Sequence, residues 1–251
     1  MKVRLNRILK IAFVDFKSRY YNKKLGLLWA FLVPAIQIAL YYFIFNYVFD
    51  AKQENYVLYL FSAMIVWLLF IQSGNLGLEL LRDKKHLLES VQFKWIDLYL
   101  ANQISMLYSM GIQLLAYLAL LWGTGTAMGP GLWAFPIILL TWFLLGLGVS
   151  ILLGLAFPVF EDIYHIWNLA GTIGLWSSGI FFDGQFFFED YTWWTYLNPM
   201  VGIILNTRAI LLEGNPLLPH LMWINLLTAV GLAFFAWMLF KRKVKTILEH
   251  A

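Results

Sequence analysis

Long runs of apolar residues without charge divide this chain into lengths that can cross a lipid bilayer. A spanning helix needs about 20 predominantly apolar residues, and charge-free windows of that length recur along the sequence. The longest window, 98–160, is broken in two by the stretch GTGTAMGPG at 123–131. The pattern predicts an all-α membrane protein with six transmembrane helices, at about 25–49, 56–80, 97–122, 132–158, 164–182 and 218–240.

One further apolar window, 191–207, predicts a different element. It is 17 residues long and contains Asn198, Pro199 and Asn206. Irregular backbone at membrane depth is tolerated where it packs on protein. We therefore expect an external re-entrant segment at about 185–212, between spans five and six.

The positive charges indicate how the predicted helices are oriented. Of the 18 Lys and Arg residues, eight lie within 1–24, four within 81–95 and four within 241–251. With six spans, all three groups fall on one side, which the positive-inside rule assigns to the cytoplasm. The sequence predicts that both termini are cytoplasmic.

Composition supports the membrane assignment and excludes thiol chemistry. Charged residues make up 13% of the chain and apolar residues 61%, whereas about 25% of a soluble domain is charged. There is no cysteine, so no disulfide framework, thiol nucleophile or thiolate metal site is available.

Residues 1–24 have the pattern of an amphipathic helix that lies in the headgroup plane. Apolar side chains recur at helical spacing with basic residues between them; they are Leu5, Ile8, Leu9, Ala12, Phe13 and Phe16. The alternative is a disordered basic tail.

The charged segment 81–95, LRDKKHLLESVQFKW, separates two apolar windows. At helical spacing it has one apolar arc and one polar arc. The apolar arc comprises Leu87, Leu88, Val91 and Trp95, and the polar arc comprises Lys85, Glu89 and Gln92. We predict a cytoplasmic helix at about 82–95 on which a soluble, energy-supplying partner docks; the alternative is a positive-inside anchor.

The motifs of common enzymes and carriers are missing from the sequence. There is no GxxxxGK[ST] phosphate-binding loop, no HExxH and no His/Asp pair at metal-ligand spacing. Ion-coupled carriers usually place an ionisable group near the bilayer midplane, and none is evident. Glu161, Asp162 and His165 cluster between spans four and five, where they form a solvated turn or contact a partner. We predict no catalytic residue and no metal site.

Three ordered motifs resemble the membrane subunit of type-2 ABC exporters, in the branch that moves lipid-linked polysaccharides. The first is DFKSRYYNKKLGLLWAFLVP at 15–34, similar to the acidic-x-Lys-x-Arg-Tyr helix and Leu-Gly-x-x-Trp-Ala-x-x-x-Pro of that family. The others are FEDIYHI at 160–166 and LNPM at 197–200, followed by Arg208. The chain departs from the family at Phe93–Lys94–Trp95–Ile96, where Phe-Pro-Arg-Glu is common, and at Glu161, where Arg is common.

The resemblance implies a homodimer that works with two copies of a separate ATPase in the bacterial inner membrane. ATP and Mg would be bound by that partner, so no cofactor is expected in this chain, and no nucleic-acid partner is expected. The docking helix would rest in a cleft of the ATPase. The residues expected at this contact are Lys84, Lys85, His86, Glu89, Gln92, Phe93, Lys94, Glu161 and Asp162.

A lipid-linked substrate carries an anionic diphosphate, for which basic residues of the first helix are candidate partners. These are Lys17, Arg19, Lys23 and Lys24, which could equally bind anionic membrane lipid. Candidates for the channel or its gate are Gln37, Tyr41, Tyr42, Trp176, Phe181, Phe182, Trp193, Trp194, Asn198 and Arg208. The alternatives are helix-packing hydrogen bonds for the first three and an interfacial aromatic belt for the external residues.

Polar residues of span three, by contrast, favour a packing role. Asn102, Ser105, Ser109 and Gln113 form a stripe at spacings of three and four, typical of hydrogen bonds between membrane helices.

The function expected from these features is ATP-driven export of a lipid-linked (polyprenyl-pyrophosphate) polysaccharide such as O-antigen. Two alternatives remain: export of a drug or other lipid by the same fold, and a membrane-embedded transferase that acts on polyprenyl lipids.

Overall fold

The computed structural model describes residues 2–21, 23–49, 55–84, 94–128, 131–182, 192–213 and 218–250. Every regular element within these ranges is helical, which confirms the all-α class. The helices are α1 (Lys2–Tyr20), α2 (Trp29–Phe43), α3 (Tyr56–Asp83), α4 (Trp95–Thr124), α5 (Phe135–Ala156), α6 (Ile163–Ser177), α7 (Thr192–Leu197), α8 (Pro199–Arg208) and α9 (Pro219–His250).

Five helical stretches in the described part of the chain are long and apolar enough to cross a membrane. They are Gly26–Val48, Tyr56–Leu81, Trp95–Thr124, Leu132–Ala156 and Pro219–Lys243. They agree with five of the six predicted spans. The chain is therefore a multi-pass membrane protein.

The fifth predicted span, 164–182, is shorter in the structure. Helix α6 has 15 residues, about 22 Å of helix at 1.5 Å per residue, less than the roughly 30 Å of a hydrocarbon core. It ends because Gly179 adopts a left-handed conformation, with φ of +75°, which glycine tolerates without a steric penalty. Ile180 and Phe181 then turn back into the core, where both are buried.

The first span contains Pro34 and is not uniform. A turn of 3-10 helix at Gly26–Leu28 precedes α2, and a π-helical turn at Ile44–Val48 follows it. Pro34 is buried within α2. A proline within a helix removes one backbone hydrogen bond, and here it does so on the buried side of α2.

The polar face of α4 joins this helix to α2 and α3. Asn102 donates to the Ser73 carbonyl on α3 at 3.3 Å, and Gln103 accepts from the Ser73 hydroxyl at 2.5 Å. Gln113 donates to the Ala30 carbonyl on α2 at 3.5 Å. Bonds of this kind between membrane helices contribute about 0.6–2 kcal/mol each, and the packing role predicted for this stripe is confirmed.

Helix α1 packs along the first turns of α4. Ile8 and Ala12 bury against Ala101, and the Phe16 ring lies 5.8 Å from that of Tyr108. Tyr20 donates to the Ser109 hydroxyl at 3.3 Å. One face of α1 is thus fixed to the bundle.

A second apolar strip on α1 stays exposed. Its members are Leu5, Leu9 and Phe13. An amphipathic helix with a free apolar strip and flanking basic residues suits the headgroup layer, so the prediction of an interfacial helix is compatible with this packing.

An ion pair holds the start of α1 to the start of α4. Arg4 Nε lies 2.9 and 3.0 Å from the two carboxylate oxygens of Asp97, and Nη2 also donates to this carboxylate. Asp97 is 4% exposed. The hydrogen bonds to Asp97 raise the pKa of Arg4, so its guanidinium stays charged at physiological pH.

Replacing Arg4 with alanine should loosen α1, because it leaves the buried Asp97 carboxylate without this partner. We expect the free energy of unfolding to fall, measured as a lower Tm of the purified protein in detergent. Lys10→Ala, at an exposed position of the same helix, is the control. Equal Tm values for the two variants would contradict a stabilising role for the pair.

Candidate functional site

A cavity of about 600 Å³, lined by both polar and apolar side chains, lies between α1, α2, α3 and α6, and Gln113 of α4 also lines it. Its residues on α3 run from Met64 to Asn75, a depth of about 16 Å at 1.5 Å per residue. We call the end of the bundle that carries α1, Lys84 and the start of α4 the basic end. The cavity begins there, beside Arg19 and Lys23, and extends toward the opposite end as far as Tyr41.

Cations, amides and indoles line this cavity, and its described lining residues include no carboxylate. The amides are Gln37, Gln72, Asn75, Gln113 and Asn168, and the indoles are those of Trp29 and Trp67. Amide groups both donate and accept hydrogen bonds. The lining therefore suits a neutral or anionic ligand that carries many hydroxyl groups.

Arg19 stands at the boundary between the cavity and α4. Its Nη2 donates to the Ser105 hydroxyl, and its Nε donates to the Asp15 carbonyl at 3.3 Å. Burial lowers the pKa of Arg19, since the protein excludes water from the charged guanidinium. An anion in the cavity would compensate for that lost hydration.

Trp67 forms part of the cavity wall because α6 has a glycine opposite it. A Cβ atom at Gly174 would overlap the Trp67 ring, and one at Gly74 would overlap the Trp167 ring. These glycines let α3 and α6 approach closely, as small residues do in membrane bundles.

At its far end the cavity reaches a cluster of aromatic rings. The Tyr41 ring lies 4.6 Å from that of Phe181 and 6.5 Å from that of Trp176. Phe45 stacks on Phe181 at 5.1 Å with an interplanar angle of 13°. Three predicted channel residues, Tyr41, Trp176 and Phe181, are thus brought together, and Trp176 remains 47% exposed.

Arg208 is the most deeply buried cation among the described side chains, at 1% exposure. It donates to the carbonyl oxygens of Gly179 and Ile180 at 3.1 and 3.0 Å. Its guanidinium carbon lies 3.4 Å from the centroid of the Tyr59 ring. These contacts join the end of α8 to the turn after α6.

Residues of the predicted re-entrant segment form the short helices α7 and α8. Asn198 caps α8 by accepting from the Met200 amide at 3.1 Å, and its amide donates to Ser178 at 2.8 Å. Trp194 donates to the Ser177 carbonyl at 2.6 Å. Asn, followed by proline at the first helical position, is a favourable helix start, so LNPM begins α8.

Three further channel candidates are Phe182, Trp193 and Tyr42. The Phe182 ring lies 6.3 Å from that of Phe45, at the edge of the aromatic cluster, and Phe182 is 43% exposed. Trp193 is exposed on α7. Tyr42 is half-buried on α2, 6.3 Å from the ring of Tyr47. Their proposed roles in transport stay predictions.

The segment predicted to dock the ATPase lies largely outside the described residues. Of its predicted contacts, Lys85, His86, Glu89, Gln92 and Phe93 fall there.

The two ends of that segment are described. Lys84 forms an ion pair with Asp15 of α1, and Lys94 is exposed immediately before α4. Glu161 and Asp162 are exposed at the start of α6. These residues are accessible at the basic end or joined to α1, and their contact with a partner stays a prediction.

The predicted phosphate partners divide into two pairs. Arg19 and Lys23 line the cavity, whereas Lys17 and Lys24 are exposed on the surface. Lys17 lies 5.6 Å from the centroid of the Tyr21 ring.

Several cavity residues were not identified from the sequence. Gln72 and Asn75 are three residues apart on α3, and Asn168 lies on α6. Polar side chains inside otherwise apolar windows are a usable signal, because they are retained in membrane helices for packing or function. Their spacing alone does not distinguish those two uses.

Comparison with known proteins assigns the family. The sequence profile described as "ABC-2 type transporter" matches residues 8–212, which is most of the chain. The chain therefore belongs to the ABC-2 transporter membrane family. It is the permease subunit of an ABC transporter, and in such transporters ATP hydrolysis belongs to a separate partner subunit.

Relatives of this chain are named as permeases for O-antigen export. The "O-antigen export system permease protein RfbA" of Klebsiella pneumoniae is 25% identical over 227 residues, covering 88% of this chain and 87% of the relative. The protein of the same name from Myxococcus xanthus is 24% identical, over 79% of this chain and 77% of the relative. The similarity extends over nearly the whole permease.

Arg208→Lys should lower stability, because lysine cannot reproduce the planar guanidinium that bonds two carbonyls and stacks on Tyr59. We expect a loss of about 2 kcal/mol in the free energy of unfolding, read as a lower Tm in detergent. If Tm is unchanged while export stops, Arg208 acts on the substrate as a gate residue.

Proposed function

We propose that this chain is the membrane half of an exporter that moves a polyprenyl-diphosphate-linked polysaccharide, such as O-antigen, across the bacterial inner membrane. The observation that carries the proposal is the continuous sequence of surfaces along the bundle: two cations, then an amide-lined cavity, then an aromatic cluster. The names of the similar permeases, which cover most of the chain, support the same substrate class.

Each surface suits one part of such a substrate. Arg19 and Lys23 provide positive charge for a diphosphate. Amides bind the hydroxyl groups of a sugar, and the rings of Tyr41, Trp176 and Phe181 offer flat faces for the C–H faces of pyranose rings. A polymer of varied sugars can slide past these rings, since none of them holds it by charge.

We propose that the transport path is completed by a second copy of the chain. Helices α2 and α6 border the cavity and expose apolar side chains away from the bundle, among them Ile36, Leu40, Leu169 and Ile173. All 15 residues of α6 are described, and Gly171 is the only one of them that is buried. A homodimer in which these faces meet would enclose the cavity, with α6 and the following turn acting as a sixth crossing and both termini in the cytoplasm.

Energy would enter at residues 84–94, where two copies of a separate ATPase dock. ATP and Mg would bind to that subunit. The Lys84–Asp15 and Arg4–Asp97 ion pairs connect the two sides of this segment to α1, which carries Arg19. Movement of the docking segment would therefore displace α1 and the cationic rim of the cavity together.

Deletion of residues 84–92, or Phe93→Ala, should prevent the ATPase from binding. We expect the subunit to be lost on co-purification and export to fall to background, while the permease itself remains in the membrane. The measurement is pull-down of the ATPase with the tagged permease, together with surface polysaccharide in cells.

Lys10→Ala provides a matched control, since it removes an exposed charge at the basic end but lies outside the docking segment and the candidate phosphate partners. Normal assembly and export by the deletion variant would show that the ATPase docks elsewhere. If the wild-type dimer assembles with its ATPase but exports only a lipid without sugars, the substrate is another lipid and not a lipid-linked polysaccharide.

A further inference from the structure

The amides that line the cavity have unused hydrogen-bonding capacity. Gln37 Oε1, Asn75 Oδ1 and Gln113 Oε1 are buried, and none has a hydrogen-bond partner among the described residues. Buried polar atoms in native proteins are almost always paired. Three such carbonyl groups on one cavity, contributed by α2, α3 and α4, indicate that a donor is supplied from within it.

The three amides lie on the cavity, apart from the polar groups between α3, α4 and α5. There Ser73 donates to Gln103 and pairs with Ser150, although Gln103 Nε2 is also without a partner among the described residues. Gln113 uses only its amino group for packing, toward Ala30. Because the terminal torsions of Asn and Gln are soft, each cavity amide can rotate to present its carbonyl or its amino group to a ligand.

The chemistry of the lining selects the ligand. Hydroxyl groups both donate and accept, so a sugar can satisfy an amide in either orientation. Trp29 and Trp67 supply flat apolar faces on the same cavity. A volume of about 600 Å³ is within the 300–1,000 Å³ range typical of small-molecule sites, which suits a headgroup with one or two sugars rather than a folded polymer.

We propose that this cavity is a specificity site for the sugar joined directly to the diphosphate, with Gln37, Asn75 and Gln113 binding its hydroxyl groups while Arg19 and Lys23 face the phosphates. The inference rests on the proposed function and adds to it a point of recognition at the lipid end of the polymer. The exporter would then accept many polymers that share this first sugar.

Binding of two probes to the purified permease–ATPase complex in nanodiscs tests this assignment. The probes are a polyprenyl diphosphate and the same lipid bearing one N-acetylhexosamine, each titrated and followed by tryptophan fluorescence. We expect the wild type to bind the sugar-bearing probe more tightly. Asn75→Leu and Gln113→Leu should each weaken that probe by up to about tenfold and leave the affinity for bare diphosphate unchanged, whereas Arg19→Gln should weaken both.

Asn225→Leu is the matched control. Asn225 is also a buried amide without a partner for its side chain among the described residues, but it lies on α9 against Gly202, away from the cavity. This variant should bind both probes like the wild type. If Asn225→Leu lowers the affinity for the sugar-bearing probe as much as Asn75→Leu and Gln113→Leu do, the variants act through general loss of folding, and the assignment is wrong.

Three further outcomes would overturn the inference. Equal affinity of the wild type for both probes would show that the sugar is not bound. Displacement of both probes by phosphatidylglycerol vesicles would make the cavity a site for ordinary anionic lipid. If neither probe binds to a complex that still exports polysaccharide in cells, recognition lies elsewhere and the proposed function stands. If the wild-type complex exports no lipid-linked polysaccharide at all, the proposed function itself is wrong.

Discussion

Hydrogen bonding within the bilayer is the constraint on which this structure depends, because lipid offers no partner for a polar group. Helix α4 meets that constraint for its neighbours. Its polar face bonds Ser73 of α3, the backbone of α2 at Ala30 and the side chains of Arg19 and Tyr20 on α1. An otherwise apolar helix thereby becomes the element to which three others are attached.

The candidate site is the cavity, where polar side chains are not fully bonded to neighbouring helices. Helix α6 packs on α3 through close contacts at Gly74 and Gly174, and the space between α1, α2, α3 and α6 remains open. Polar atoms face that space without partners among the described residues, notably on Asn75 and Gln113. In a membrane bundle, such atoms have to meet water, a ligand or a second protein chain. The cavity therefore follows from incomplete packing of polar helices.

The ion pairs of α1 connect both ends of the predicted docking segment to the helix that borders this cavity. Lys84 lies near the start of the predicted docking segment and Asp97 just after its end, and each forms an ion pair with α1. The same helix carries Arg19, which faces both α4 and the cavity. A single short helix thus contacts the region where the ATPase would push and the region where an anionic headgroup would bind.

Apolar length and helical periodicity by themselves determined the all-α class, five of the membrane helices and the packing role of the polar stripe on α4. Each of these depends on local sequence. Tertiary structure decided that α6 ends early at Gly179, and it decided which polar residues meet: Gln37, Asn75 and Gln113 come from three different helices. Helical periodicity shows that a face is polar, but only the rotation and neighbours of each helix determine whether that face is satisfied by protein or left to a ligand.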